Sequence, residues 1–502
     1  VKLLRGSALT IFGILLPSVV ITLALACIAL PTQTHAYEIE TRGAVRSEIL
    51  ANTDERSIVF DGRVDVEADV GPLTFGAAYR VYDFGEGDYN PAGIETFYDI
   101  KHRYLEIQTG GLHARAGDFF STIGRGLILR SFEDIDLEHD TALDGFLGEY
   151  EIGPLGLAAL AGRMRQDISD TRYREHRIRG GSARLNAFNW LTLGIAGLRR
   201  DNRTQRSDVI VTPSETFYGD DVYGCEMALW LGPFQAAGEY AYREGGNYWT
   251  NEHNAEGRAT YITASLSTSW LAVFGEYKDY DLFEHALSSP PVCVKEYVWT
   301  LMNRVTPDYD FDDERGFLIE GILVASDNLH LSGGASEGRT QGGGLKHWEI
   351  FGQIEQLTPR WGLCSIAGSW SREYEREYGG LDENISGAVE ARIEPTPGRP
   401  MEIVFEIQTV DESLIEAYWN YLGTLTFYAT SDLTLSALAE LTSQDAIDRD
   451  AWILGEIRMT LSDDLEIGLG GGTERGGRKC SGGICYTEPE FEGVRLRFSK
   501  FF

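Results

Sequence analysis

The sequence predicts an all-β chain closed into a transmembrane antiparallel β-barrel of about 24 strands, within a range of about 22–26. Three observations carry that prediction. Apolar and polar residues alternate with a period of two along most of the chain, turn-forming residues recur at regular spacing, and the segment Phe491 to Phe502 has one apolar and one polar face. In that segment Val494, Leu496, Phe498 and Phe502 share one side, and Arg495, Arg497 and Ser499 share the other. Such a strand suits a wall with lipid outside and polar groups inside, and closure removes the edges that lipid cannot satisfy.

At the start of the chain, Lys2 and Arg5 precede an apolar run from Leu9 to Leu30 and a polar stretch closing in Thr34-His-Ala36. Residues 1–36 read as a secretory signal peptide cut after Ala36, with Pro17 and the small-residue ending favouring cleavage. The run is long enough to cross a bilayer, so an uncleaved anchor competes. Cys27 leaves lipidation open as well, although Ala24-Leu25-Ala26-Cys27 lacks a leucine three residues before the cysteine. Residues 37–502 are then one outer-membrane barrel. Tyr37-Glu-Ile-Glu-Thr leads almost directly into strand, so a plug domain ahead of the barrel, with the energy-coupled uptake it would serve, is not expected.

The strands follow. Between Ser57 and Val70, residues Ile58, Phe60, Val64, Val66, Ala68 and Val70 face one way and Asp61, Arg63, Asp65, Glu67 and Asp69 the other. A helix would scatter those charges. The same period runs through Leu73-Phe75-Ala77-Tyr79, Met401-Ile403-Phe405-Ile407, Leu433-Leu435-Ala437-Ala439-Leu441, Ile453-Ile457-Met459-Leu461 and Leu465-Ile467-Leu469. A propeller or a sandwich array alternates too, but its outward face is polar, whereas here one face is almost wholly apolar over many strands.

Turn signals stand near Gly71-Pro72, Gly110-Gly111, Gly153-Pro154, Asn189-Trp190, Gly232-Pro233, Ser269-Trp270, Asp327-Asn328, Pro359-Arg360, Pro397-Gly398, Ser431-Asp432 and Asp463-Asp464. Most neighbours are about 30 to 45 residues apart, enough for two strands and a longer loop. With both termini periplasmic, these are the short periplasmic turns, and the longer connections near 83–97, 118–141, 200–220, 243–256, 278–315, 372–386 and 473–490 are extracellular. Tyr240, Tyr242, Tyr248, Trp249, Tyr277, Tyr280, Trp370, Tyr374 and Tyr378 then fall near the outer strand ends, where an aromatic girdle is expected, with stacking on sugars as the other reading.

The chain carries a formal charge of −33, and without Lys2 and Arg5 it keeps 42 basic against 77 acidic residues, or −35. Such a surface attracts cations and disfavours nucleic acid, which needs a basic face. Past residue 36 the cysteines are Cys225, Cys293, Cys364, Cys480 and Cys485. Cys480-Ser-Gly-Gly-Ile-Cys485 favours a disulfide across a loop tip; the other three cannot all pair with one another. No metal site or cofactor is expected. Asp308-Tyr-Asp310-Phe-Asp312 has the opening spacing of a calcium loop but lacks Gly at its sixth position and Glu at its twelfth, which leaves weak cation binding at most. Adjacent acids such as Asp220-Asp221 and Asp312-Asp313 raise a rim protease or lipase as the competing reading, which needs a carboxylate or serine paired with histidine; His253 and His285 fall on outer loops, where histidines are ordinary, and no enzyme is expected.

The most individual segment runs from Ala116 to Gly145. Ile123, Leu127, Ile128, Leu129, Phe132, Ile135 and Leu137 are too apolar for a solvated loop, which predicts that 118–141 folds into the barrel mouth or lumen. There Asp118, Arg125, Arg130, Glu133, Asp134 and Asp136 would meet the charged inner face, Arg63, Asp65 and Glu67 included, and narrow a channel. The alternative is structural: Gly117 and Gly126 permit turns, Asp118 caps one, and the arginines tie the segment to the wall. Gly117-Asp118-Phe119-Phe120 followed by Gly124-Arg125-Gly126-Leu127 resembles a G-D-F-[FY]…G-R-G-L signature of a poorly characterised group of bacterial outer-membrane barrel proteins. That resemblance implies a porin-like barrel and no particular activity. Lys500 departs from the common barrel ending, where an aromatic residue is usual, though a lysine at the interface can snorkel.

The expected function is a porin-like channel in the outer membrane for passive transport of small solutes or cations. The alternative is a structural or scaffold barrel in an envelope complex, for protein secretion or electron transfer, with periplasmic or extracellular protein partners.

Overall fold

A computed structural model describes residues 39–53, 57–84, 97–137, 139–169, 172–206, 216–245, 255–283, 291–304, 313–342, 344–358, 362–375, 380–413, 416–445, 447, 449–481 and 484–502. The expected leader, residues 1–36, and His253, His285, Asp308, Asp310, Asp312, Tyr248, Trp249 and Tyr378 lie outside them.

The alternating segments form one antiparallel sheet of 24 strands. In chain order these are β1 (Ile39–Asn52), β2 (Ser57–Val70), β3 (Leu73–Phe84), β4 (Phe97–Thr109), β5 (Leu112–Phe119), β6 (Leu143–Ile152), β7 (Leu155–Ser169), β8 (Arg172–Phe188), β9 (Leu191–Arg206), β10 (Thr216–Leu231), β11 (Phe234–Gly245) and β12 (Ala255–Ser267). They continue as β13 (Leu271–Asp281), β14 (Glu314–Ser326), β15 (Leu329–Thr340), β16 (Leu345–Thr358), β17 (Gly362–Glu375), β18 (Gly380–Thr396), β19 (Arg399–Asp411), β20 (Tyr418–Tyr428), β21 (Leu433–Thr442), β22 (Ala451–Ser462), β23 (Leu465–Glu474) and β24 (Phe491–Phe501).

Each strand pairs with the next, and β24 closes the barrel on β1, with Ile49 opposite Leu496 and Val45 opposite Lys500. Gly43 and Phe502 exchange two backbone hydrogen bonds at 2.8 and 3.0 Å, completing the seam. Lys500 is ion-paired with Asp464 in the β22–β23 turn. Five two-residue turns place a glycine in the left-handed region, Gly71, Gly110, Gly153, Gly232 and Gly398, where a side chain is strained. Ten of the eleven expected turn positions fall between the strands they were expected to join, and Pro359-Arg360 lies outside the described residues.

Period two separates the two faces of the wall. Ile195, Ile366, Ile453, Leu425 and Phe405 stand exposed on the outside, the side on which a transmembrane barrel is apolar. Their sequence neighbours face the lumen, and there the chain builds its core. One apolar cluster joins wall residues Leu143, Leu160, Ile178, Leu198, Val222, Tyr261, Tyr280, Leu318 and Phe351 to Ile123, Leu127, Ile128 and Leu129, and to Cys293, Tyr297, Trp299 and Met302. Tyr280, expected in the outer girdle, is instead fully buried in this cluster, and its hydroxyl donates to the Pro291 carbonyl at 3.1 Å.

Two connections therefore fold inward. The first, 120–142, carries two short hairpins, Thr122–Ile123 with Leu129–Arg130 and Glu133–Asp134 with His139–Asp140. The second, 291–304, ends in the one-turn helix α1 (Thr300–Arg304). The sequence pattern assigns this second segment to an outer loop, and the structure instead docks it on the lumen wall. Pro291-Val-Cys-Val-Lys-Glu-Tyr-Val-Trp-Thr-Leu-Met302 carries the same apolar excess that marks the first, and that signal could have found it.

Candidate functional site

The first inward segment is fastened at two ends. At Gly124-Arg125-Gly126-Leu127 the two glycines adopt φ of 66° and 100°, turning the backbone so that the Arg125 amide donates to the Glu239 carboxylate of β11 at 2.6 Å. A Cβ on Gly124 would collide with that carboxylate. The motif is thus a backbone cradle for a wall glutamate that is itself buried. Gly124→Ala should lower hydrogen-exchange protection of the Arg125 amide by tenfold or more, since a left-handed alanine alone costs about 1 kcal/mol or more before any collision. Unchanged protection would mean that the glycine is dispensable.

At the other end, the Glu133 carboxylate receives both arms of the Arg63 guanidinium of β2, one of them at 2.9 Å, and lies 3.2 Å from His102 Nε2 of β4. Arg63 also bonds Asp65 at 2.9 Å. Burial pushes the Glu133 carboxyl up, but the hydrogen bonds from His102 and Arg63 outweigh it and hold it at about 2. His102, Glu133 and Asp140 place candidate ligand atoms within 4.8 Å of one another. Glu133 is already committed to the Arg63 cation, so this cluster works as an ion-pair latch.

The other residues of interest are more dispersed. Glu67 pairs with Arg42 and accepts from Tyr104. Arg130 lies over the Phe132 ring at 4.6 Å, Asp134 accepts from the Leu137 amide at 3.1 Å, and Asp136 is exposed. Asp118 does not join a lumen constriction. It accepts from the Arg103 amide at 2.7 Å and sits opposite Asp144, while its neighbour Phe119 takes the lumen side. Alternation forces that outcome, because a period of two cannot send both residues inward. Ile135, expected to avoid water, stays 45% exposed.

Around the second segment the sequence had singled out none of the partners. Four wall carboxylates, on β14, β16, β19 and β21, hold it: Glu320 pairs with Lys295 at 2.6 Å, Glu349 accepts from the Tyr297 hydroxyl at 2.7 Å, Glu406 accepts from the Thr300 and Leu301 amides at 3.2 and 2.7 Å, and Glu440 takes a bidentate bond from Arg304 at 2.5 and 3.1 Å. Glu406 thereby satisfies two amides at the start of α1. Glu440 also accepts from Arg475 at 3.0 Å, which ties in the connection before β24. Part of the acidity legible in the composition is spent on these anchors.

That last connection carries a hairpin, Gly477–Ser481 with Ile484–Glu488, whose register sets Cys480 directly opposite Cys485. Cys225 and Cys364 are exposed free thiols, while Cys293 is buried. Burial pushes the Cys293 thiol up to about 12, partly opposed by Lys278. Maleimide at neutral pH should therefore leave Cys293 unmodified until the second segment leaves the wall, a state that peptide mass mapping reads directly. Prompt labelling of Cys293 in the folded barrel would contradict this docked position.

Below the second segment lies a cavity of about 300 Å³ lined by Phe274, Tyr297, Val298, Trp299, Ile322 and Phe351 among others. The molecule is thus a large closed barrel, of the architecture found in outer-membrane proteins, with two of its own connections bound inside. The chain belongs to the family of unknown function DUF6029, whose family model matches residues 22–305 and so takes in both inward segments.

Among solved structures, it is similar to a chain of the E. coli P pilus tip assembly intermediate PapC-PapD-PapK-PapG, at TM-score 0.57 and 10% identity over 94% of this chain and 62% of that one. It is similar also to the siderophore receptor PirA from Pseudomonas aeruginosa, at TM-score 0.51 and 9% identity over 93% and 81%. The P pilus usher (PapC) translocation pore aligns over 92% of this chain and 99% of that one at TM-score 0.48 and 10% identity. No curated protein sequence matches the chain.

Proposed function

We propose that the protein resides in the outer membrane and passes small solutes or ions through its lumen, with segments 120–142 and 291–304 setting what passes and when. The observation that carries this reading is the pair of inward segments held on the lumen wall by ionic and backbone anchors at half-buried Glu133 and buried Glu239, Glu406 and Glu440. Polar anchors of this kind can be released by a ligand or a partner that competes for them, which apolar packing alone would not allow so selectively. Transport gated in this way differs from a permanently open porin. Catalysis forms no part of the reading.

Planar-bilayer conductance of the refolded barrel, compared with variants lacking 120–136 or 293–303, tests it. Small or rare openings in the intact protein and large steady steps in a deletion variant are expected, with reversal potentials reporting any cation preference. Silence in all variants, with folding shown by heat-modifiable gel mobility, would replace transport by a scaffold role in an envelope complex.

A further inference from the structure

The outer face of β7, β8 and β9 changes character toward the ends away from the tight turns. Near the turns it is lipid-like, with Leu157, Ala159 and Ala161, then Ala183 and Gly181, then Leu193, Ile195 and Gly197. Directly beyond stand Arg163, Arg177, Arg179 and Arg199. Their neighbours Met164, His176, Ile178, Leu198 and Arg200 are buried on the lumen side, so alternation turns these four outward. Register sets Arg163 opposite Arg177 and Arg179 opposite Arg199. Like charges directly opposed across a sheet are destabilising.

Carboxylates sit among them. Asp144 bonds Arg163 at 2.9 Å and Glu175 pairs with Arg177, but Arg179 reaches Asp201 only at 3.8 Å, and Arg199 reaches Asp201 and Asp221 at 3.4 and 3.5 Å. Arg179 is 67% and Arg199 49% exposed along the side chain. One rung from Arg199 the neighbouring strand presents Tyr223 opposite Gly197, and Tyr242 stands opposite Tyr223, the residues of a lipid–water boundary. The arginines thus occupy the headgroup level.

We infer that this face binds the phosphorylated headgroup of an outer-leaflet lipid, with Arg179 and Arg199 as the phosphate-contacting pair and Arg163 and Arg177 flanking it. A planar guanidinium matches phosphate in a bidentate manner, and Asp201, which stands between Arg179 and Arg199, meets them only at 3.8 and 3.4 Å, so a phosphate at the exposed edge adds to that contact rather than replacing it. The apolar strip below, continuous with the patch, favours a lipid over free phosphate, since acyl chains would lie on Ile195, Leu193 and Ala161. The inference rests on the proposed outer-membrane location with the tight turns on the periplasmic side.

The test uses the full barrel in phosphatidylcholine vesicles doped with phosphorylated lipid A or with its dephosphorylated form, followed by native mass spectrometry. Retention of phosphorylated lipid A is expected to exceed that of the dephosphorylated form by tenfold or more, and to fall about tenfold in Arg179→Gln/Arg199→Gln. Arg179→Lys, which keeps the charge but not the planar fork, should show a smaller loss and serves if the double variant does not fold. Equal retention of both lipids, or undiminished retention by the variants, overturns the assignment. Displacement by millimolar inorganic phosphate overturns the lipid as occupant. A barrel that inserts into neither vesicle and does not fractionate with outer membranes sinks the location itself, an outcome distinct from failure of the site.

Discussion

Glu440→Ala should free the second inward segment and, on the proposed gated transport, raise the conductance of the barrel. Glu440 is 4% exposed along its side chain and accepts from Arg304 and Arg475 together, so its loss leaves two guanidinium groups in the lumen without their shared carboxylate. Breaking a buried pair from one side costs about 3–5 kcal/mol. Arg304 can escape that cost only by leaving the wall with α1. At about 1.4 kcal/mol per tenfold, the undocked population should rise by about 100-fold at the lower end of that cost and several thousand-fold at the upper. Two readouts should move together: conductance steps, and maleimide labelling of Cys293, which is buried while the segment is docked. Glu440→Gln, which keeps shape and some hydrogen bonding, should fall between the parent and the alanine variant. A double-mutant cycle with Arg304→Ala then isolates the pair, because the second substitution removes the stranded charge. Unchanged labelling and conductance in Glu440→Ala would show that apolar packing of Tyr297, Trp299 and Met302 holds the segment without the ion pair.

Acid should release the first segment by a separate route. The Glu133 carboxyl is held at about 2, below its ordinary 4.5, by His102 and Arg63 against the opposing effect of burial. A carboxyl with a depressed folded value contributes stability that is complete above about pH 4.5 and disappears as pH falls through about 2. A shift of that size corresponds to about 3 kcal/mol, taken as an order of magnitude for a group 18% exposed along its side chain. Hydrogen exchange of 120–142, read at pH 6 and at pH 3, should therefore show the segment loosening in acid. Glu133→Gln should already be loose at pH 6 and gain little further from acid, which separates this latch from the many other carboxylates of the lumen. An identical acid response in the parent and in Glu133→Gln would remove Glu133 from the mechanism.

Both predictions concern contacts that no local pattern could specify. The barrel itself was legible because its causes are local. Whether a residue meets lipid or lumen depends on a period of two, so Val494 to Phe498 and Ile58 to Val70 declare their faces within a few residues. The reversal at Gly71-Pro72 or Gly153-Pro154 likewise needs only its own backbone conformation. Segment 120–142 was legible as an anomaly, since a solvated loop does not carry Ile123, Leu127, Ile128 and Leu129. Its destination was only half legible. Glu133 does meet Arg63, but Asp118 is committed to a backbone amide, and the Arg125 amide finds Glu239 more than a hundred residues away.

Segment 291–304 shows the boundary most clearly. Its apolar excess was in the sequence, yet a long connection rich in acids and prolines read as an outer loop, because charge density over the whole stretch masked the run within it. The sequence by itself determined a chain that must close into a wall with one apolar and one polar face, since partition between lipid and water acts residue by residue. Only the tertiary structure decided which connections fill the lumen and which carboxylates hold them. Closing 24 strands brings Glu406 beside Leu301 and Glu440 beside Arg304, pairs whose meeting depends on barrel circumference and register rather than on any neighbouring residue.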